Sequence, residues 1–283
     1  MYRVAIIGQS LGAQIAALAC KASGFQNIGR FYGEQNHDLL PTIHSLGANA
    51  SRLLRALAPE ALEQAGFQPD RYQVRFAKSA YLLAELPLGE FYQQRYGAPL
   101  INFAAPALAA YLEEQLGMPM AAATALNDIE SNHDLTVLTT PESPPTQQHE
   151  DASFLIYHAR LPDHPLRKAN VLWRGDGQYV EQLSDQTDVH VRFVTRADRP
   201  FEPALWHESL QPALAAKEAV GRVSTQNFTA SDRLFAGRVA LLHSAVAPPL
   251  AARVDASNTA LEDAWVLSRM MENYEEDIGD GLA

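Results

Sequence analysis

The opening segment MYRVAIIGQSLGAQIAALACKA constrains this chain more than any other stretch. Val4 to Ile7 is a short apolar run that stops at Gly8, and from Leu11 to Ala22 apolar residues recur at helical spacing, so the segment reads as strand, tight turn and helix. A second extended stretch follows Gly24 and ends near Gly33 and Glu34. Strand, helix and returning strand make a βαβ unit, which needs a parallel sheet covered by helices.

The rest of the chain alternates between helical and strand-like patterns. Residues 46–65 read as helix broken at Pro59, Tyr72 to Leu86 as two strands, Ala104 to Leu116 as a helix that tolerates Pro106 in its first turn, and His133 to Val137 as the entry to a strand. A polar, proline-containing linker, ESPPTQQHED (142–151), precedes three strand-like runs, FLIYHARLP, KANVLWRGDGQYVEQL and DVHVRFVTR, the middle one broken at a Gly-Asp-Gly turn. Glu202 to Val220 reads as helical, RVALL (238–242) as a last apolar strand and Thr259 to Asn273 as a closing amphipathic helix. The expected fold class is α/β, a Rossmann-like dinucleotide-binding domain with an inserted β-rich domain. Its expected segments are 1–70, 100–145 and 232–283 for the first domain, with 71–99 and 146–231 for the second.

Composition narrows the function. A formal charge of −11 argues against nucleic acid and anionic membranes as partners, since both require basic surface. No apolar run reaches the roughly 20 residues of a membrane span, and the first residues lack the basic and apolar regions of a signal peptide, so a cytoplasmic protein is expected. The single cysteine, Cys20, reads as core and excludes an internal disulfide. The histidines at 37, 44, 133, 149, 158, 164, 190 and 207 show no pair at metal-ligand spacing, so no metal is expected. Trp173, Tyr179 and Phe193 are expected in the core of the second domain, and the acidic end ENYEEDIGDGLA (272–283) reads as solvated.

Several motifs, in order, resemble the class A FAD-dependent aromatic monooxygenases, the family of salicylate and 4-hydroxybenzoate hydroxylases. They are VAIIGQSLGAQIAALA, LPLGEFYQQRYGAP (86–99), GRVALL (237–242) and ALEDAWVLSRMM (260–271). The resemblance implies FAD, NAD(P)H and an aromatic substrate, with Gly8, Ser10, Gly12 and Ala13 at the pyrophosphate turn, Glu34 at the adenosine ribose and Asn258 near the flavin. It also shows departures. Ser10 stands at the second glycine of Gly-x-Gly-x-x-Gly, and Ala105 stands where an arginine faces the flavin nucleotide. Thr140-Pro141 replaces an Asp-Gly motif, and His243-Ser244 replaces the Gly-Asp whose aspartate binds the ribityl chain. Losing these contacts together removes on the order of 5 kcal/mol of binding, so FAD is expected to bind weakly or not at all.

Read without the family, GQSLG (8–12) also fits Gly-x-Ser-x-Gly, the nucleophile elbow of hydrolases, although only about seven residues precede it. Ser10 with His243 is therefore a candidate nucleophile and base pair. A divergent monooxygenase and a non-flavin protein on the same scaffold both remain open. The latter would be a pseudoenzyme that pairs with an authentic monooxygenase or binds an aromatic metabolite, or a Ser10 and His243 hydrolase; the expected partners are a small aromatic molecule and either a second copy in a homodimer or an authentic monooxygenase.

Overall fold

A computed structural model of the 283-residue chain describes residues 2–32, 42–123, 125–139, 153–162, 167–175, 177–199, 202–224, 235–242 and 256–273. The first part of the chain forms β1 (Arg3–Ile7), α1 (Leu11–Ala22), β2 (Asn27–Tyr32), β3 (Ile43–Leu46), α2 (Ala48–Leu57), α3 (Ala61–Gln64), β4 (Gly66–Phe67), β5 (Arg71–Phe76) and β6 (Leu82–Pro87). It continues with α4 (Glu90–Tyr96), β7 (Ile101–Ala104), α5 (Ala105–Leu116), β8 (Met120–Ala122), α6 (Leu126–Asn132), β9 (Leu135–Leu138), β10 (Ser153–Pro162) and β11 (Ala169–Arg174). The last elements are β12 (Gln178–Ser184), β13 (Asp188–Arg196), α7 (Gln211–Ala216), β14 (Glu218–Ser224), β15 (Phe235–Ala236), β16 (Val239–Leu241) and α8 (Ala256–Asn273).

The fold is α/β, and three sheets carry it. A six-stranded sheet runs in the order β15-β16-β9-β1-β2-β8, parallel except for the β15–β16 hairpin. Val4 to Ile7 of β1 are all buried, as a parallel strand covered on both faces requires. On one face Ile6 and Leu135 pack with Ile15 of α1, Leu108 and Leu112 of α5, Leu54 of α2 and Leu261 of α8. On the other face Ala5, Ile7 and Leu138 meet Ile129 of α6. From β1 the chain first adds β2 on one side and later β9 on the other, so the gap beyond β1 and β9 is a topological switch point, the place where such sheets bind ligands.

A seven-stranded sheet in the order β14-β10-β13-β12-β11-β5-β6 is antiparallel except for β5 and β11. One face buries Trp173, Val180, Val191 and Phe193 beneath Trp206, Leu210 and Leu214, which lie in two short 3-10 turns and α7. By strand alternation the other face carries His158, Asn170 and His190. It meets β3 and β7 of a small antiparallel sheet, β3-β7-β4, through hydrogen bonds of Thr42, Ser45 and Asn102.

Two expectations are corrected. The helical reading of Glu202 to Val220 holds only as far as Ala216, because Glu218 begins β14 against β10. Tyr179 does not join Trp173 and Phe193: Val180 pairs with both, which turns Tyr179 to the opposite face. The β3-β7-β4 sheet and α4 were not anticipated.

Candidate functional site

The switch point is built by the β1–α1 turn. Gly8 adopts φ 135°, a conformation that side chains rarely allow, and its N–H reaches Phe31 O at 2.9 Å. Ser10 is the N-cap of α1 in extended geometry (φ −70°, ψ 166°), with its Oγ accepting from Ala13 N at 3.4 Å. The Ser10 hydroxyl donates to Thr139 Oγ1 at 3.4 Å, and Thr139 Oγ1 donates to Ile7 O at 3.0 Å. A hydroxyl pair thus spans the gap between the ends of β1 and β9. Gly12 and Ala13 are buried in the first turn of α1.

The remaining expected site residues divide. Glu34 and His243, with Thr140, Pro141 and Ser244, lie outside the described residues. Asn258, in the first turn of α8, has both ends of its amide engaged: Nδ2 donates to Ser45 O at 3.0 Å and Oδ1 accepts from Gly47 N at 2.7 Å. It fastens α8 to the β3–α2 turn. Ala105 is the first residue of α5 and offers that helix end a methyl group, its N–H being spent on Thr42 O at 3.0 Å. The described geometry also gives Ser10 a capping role without strain; among the described residues only Ala80 combines positive φ with a side chain, so the strained elbow of a hydrolase is absent there.

The richest chemistry lies where the seven-stranded sheet meets the β3-β7-β4 sheet, and sequence spacing concealed it. Buried His44 Nδ1 sits 2.6 Å from Ser257 Oγ, and burial drives the His44 pKa down to about 4, so the ring is neutral. Nearby, Thr42 Oγ1 lies 2.9 Å from His158 Nε2, His158 Nε2 lies 3.4 Å from His190 Nδ1, and His190 Nε2 donates to Asp185 Oδ2 at 2.7 Å. Asp185 Oδ1 is held in turn by the N–H groups of Thr187 and Asp188, at 2.8 and 2.7 Å. Burial raises the Asp185 pKa, but these backbone donors and His190 outweigh it and leave a carboxylate. His158 falls to about 4, first through burial and then through the positive charges of His190, Arg192 and Arg160.

His158 and His190 are 32 residues apart but lie on paired strands, where Arg160 faces His190 and Arg192 faces His158. The signal was a histidine on each of two alternating strands. Their pairing was not readable because β11 and β12 intervene in the chain. Among the described residues, no group of three His, Cys, Asp or Glu is arranged to hold a metal.

The architecture is a parallel sheet with a glycine turn at its switch point, accompanied by a large antiparallel sheet. No family model matches the sequence. The chain is 24% identical to 6-hydroxynicotinate 3-monooxygenase from Pseudomonas fluorescens, over 95% of this chain and 82% of that protein. It superposes on Klebsiella pneumoniae HpxO complexed with FAD and uric acid with TM-score 0.77, at 18% identity over 99% of this chain and 82% of HpxO. It superposes on a substrate complex of salicylate hydroxylase with TM-score 0.73, at 14% identity over 100% of this chain and 82% of the hydroxylase. Sequence and fold together indicate the FAD-dependent aromatic monooxygenase family.

The described residues fit FAD at one end only. Gly8 keeps the turn, and the first turn of α1 still presents backbone N–H groups of the kind that bind phosphate. Ser10 Oγ, however, stands at that helix end; Ala105 has no donor to offer a nucleotide; and the Asn258 amide is consumed internally.

Proposed function

We propose that the chain is a flavin-monooxygenase-like protein of the oxidoreductase class that binds or acts on an aromatic metabolite in the crevice, and that it has lost tight FAD binding. The observation that carries this reading is the closed turn: the Ser10 hydroxyl folds into the start of α1 and contacts Thr139 across the gap where the pyrophosphate belongs. Ala105 at the start of α5 adds to it. The names of the relatives, a hydroxynicotinate monooxygenase and a salicylate hydroxylase, support an aromatic ligand.

What the chain's own residues supply is a polar seam between the seven-stranded sheet and the β3-β7-β4 sheet. His158 is neutral near pH 7 and hydrogen-bonded to Thr42, so it offers a polar contact without a fixed charge, while Asp185 and His190 hold its ring in place. The test is the absorption spectrum of the purified protein. A colourless protein is expected, and a stoichiometric flavin band in the visible contradicts the loss of tight binding.

A further inference from the structure

β3 is an edge strand of the smallest sheet, yet all four of its residues are buried. Side chains from two other parts of the molecule hold it. Thr42, just before the strand, lies 2.9 Å from His158 Nε2 of β10, and Ser45 Oγ accepts from Asn170 Nδ2 of β11 at 3.5 Å. On the other side His44 Nδ1 meets Ser257 Oγ of α8 at 2.6 Å, and Ser45 O accepts from Asn258 Nδ2 at 3.0 Å. The strand therefore joins α8 to the seven-stranded sheet. One imidazole serves each side, and each meets a hydroxyl across the junction and not a carboxylate, so a proton on either ring gains no ion pair there to offset its lost hydration.

We propose that β3 is an acid-released clasp: when His44 and His158 take up protons, the strand leaves α8 and the seven-stranded sheet together while the parallel sheet stays folded. The charges around each ring favour release. For His44 burial is the cause of the lowered pKa; β7, its pairing partner, has no titratable residue, and the charged residues of α2 and α8, Arg52, Arg55, Glu262, Asp263, Arg269 and Glu272, add nothing to it. For His158, Arg160 on its own strand and Arg192 and His190 on β13 reinforce burial in opposing a proton. Asp185 binds the far nitrogen of His190, Glu218 opposite on β14 is exposed, and α7, which also packs on β10, has no charged residue. Release is local because β3 pairs only with β7, so its departure breaks one ladder. Above the window of titration the burial of Ile43 and Leu46 keeps the clasp shut.

Hydrogen exchange of the full chain at pH 7 and pH 5, read by mass spectrometry as protection factors so that the intrinsic pH dependence divides out, tests this. Each ring passes from a pKa of about 4 in the closed strand to 6.5 in the released one, so protection of residues 43–46 should fall ~500-fold between the two pH values. At both, it should stay at least ~10-fold below that of residues 4–7 in β1, because the strand opens without global unfolding. His44→Gln and His158→Gln should each leave a fall of ~20-fold, the share of one proton. Protection of β3 equal to that of β1, a fall of less than ~10-fold in the wild-type chain, or a fall that both substitutions leave at full size overturns the proposal. The wild-type comparison of β3 with β1 decides even where a variant does not fold.

Discussion

The end of the parallel sheet is closed by neutral hydroxyls 3.4 Å apart, Ser10 to Thr139, whereas the seven-stranded sheet, where it meets β3 and β7, holds Asp185, His190 and His158 in a chain anchored by a 2.7 Å contact. Both sides stand on well-packed cores, Ile6, Ile15, Leu108 and Leu112 on one and Trp173, Val180 and Phe193 on the other. The difference therefore lies in the loops and sheet faces and not in the scaffolds. The end of the parallel sheet carries neutral, self-contained contacts, while the seven-stranded sheet keeps buried ionisable groups, which are costly unless they are paired.

The largest expected effect tests whether the scaffolds are equivalent. Phe193→Ala should cost ~3–5 kcal/mol and Leu112→Ala ~2–5 kcal/mol in urea unfolding. If the two sides unfold as one unit, tryptophan fluorescence from Trp173 and Trp206 and far-UV circular dichroism will lose stability together in both variants. Separate transitions would make the sides independent domains and sharpen the contrast.

Next comes acid. His44 is buried and its pKa falls from 6.5 to about 4, so the unfolded chain binds a proton that the folded one refuses. Stability is then complete above pH 6.5 and falls as the pH drops toward 4, by about 3 kcal/mol in all. His158, lowered to about 4, acts in the same window and with the same sign. His44→Gln should flatten the curve between pH 6.5 and 4 while leaving the His158 share. An unchanged slope would mean that His44 is not buried as a neutral ring.

Asp185→Ala removes the acceptor of four hydrogen bonds, from His190, from Asp188 and two from Thr187, and should cost ~1.5–3 kcal/mol. The smallest effect belongs to the other side. Ser10→Ala loses the α1 cap, which is worth ~1 kcal/mol, and Ser10→Gly should cost only a few tenths. A larger loss at Ser10 than at Asp185 would invert the comparison.

The sequence exposed the parts governed by local rules. The β1–α1 turn was legible because Gly8 ends an apolar run and helical spacing follows, and the β11–β12 hairpin because a Gly-Asp-Gly turn divides two strand patterns. The β3-β7-β4 sheet was not, since its strands are only four, four and two residues long and pair across distant segments. β14 was taken into the preceding helix because EAV continues an apolar, helix-compatible run, and only pairing with β10 makes it a strand. In the site, Ser10 and Asn258 were located but their partners were not. Thr139, Ser45 and Gly47 reach them through tertiary contacts that no spacing encodes.

The central claim is that the parallel-sheet side no longer holds FAD tightly, and calorimetric titration of the purified chain with FAD tests it most directly. The expected dissociation constant is in the millimolar range, about −4 kcal/mol of binding, and Ser10→Gly should not tighten it, because Ala105 and the engaged Asn258 amide remain. Micromolar or tighter binding by the wild-type chain, or its recovery through Ser10→Gly alone, would contradict the account.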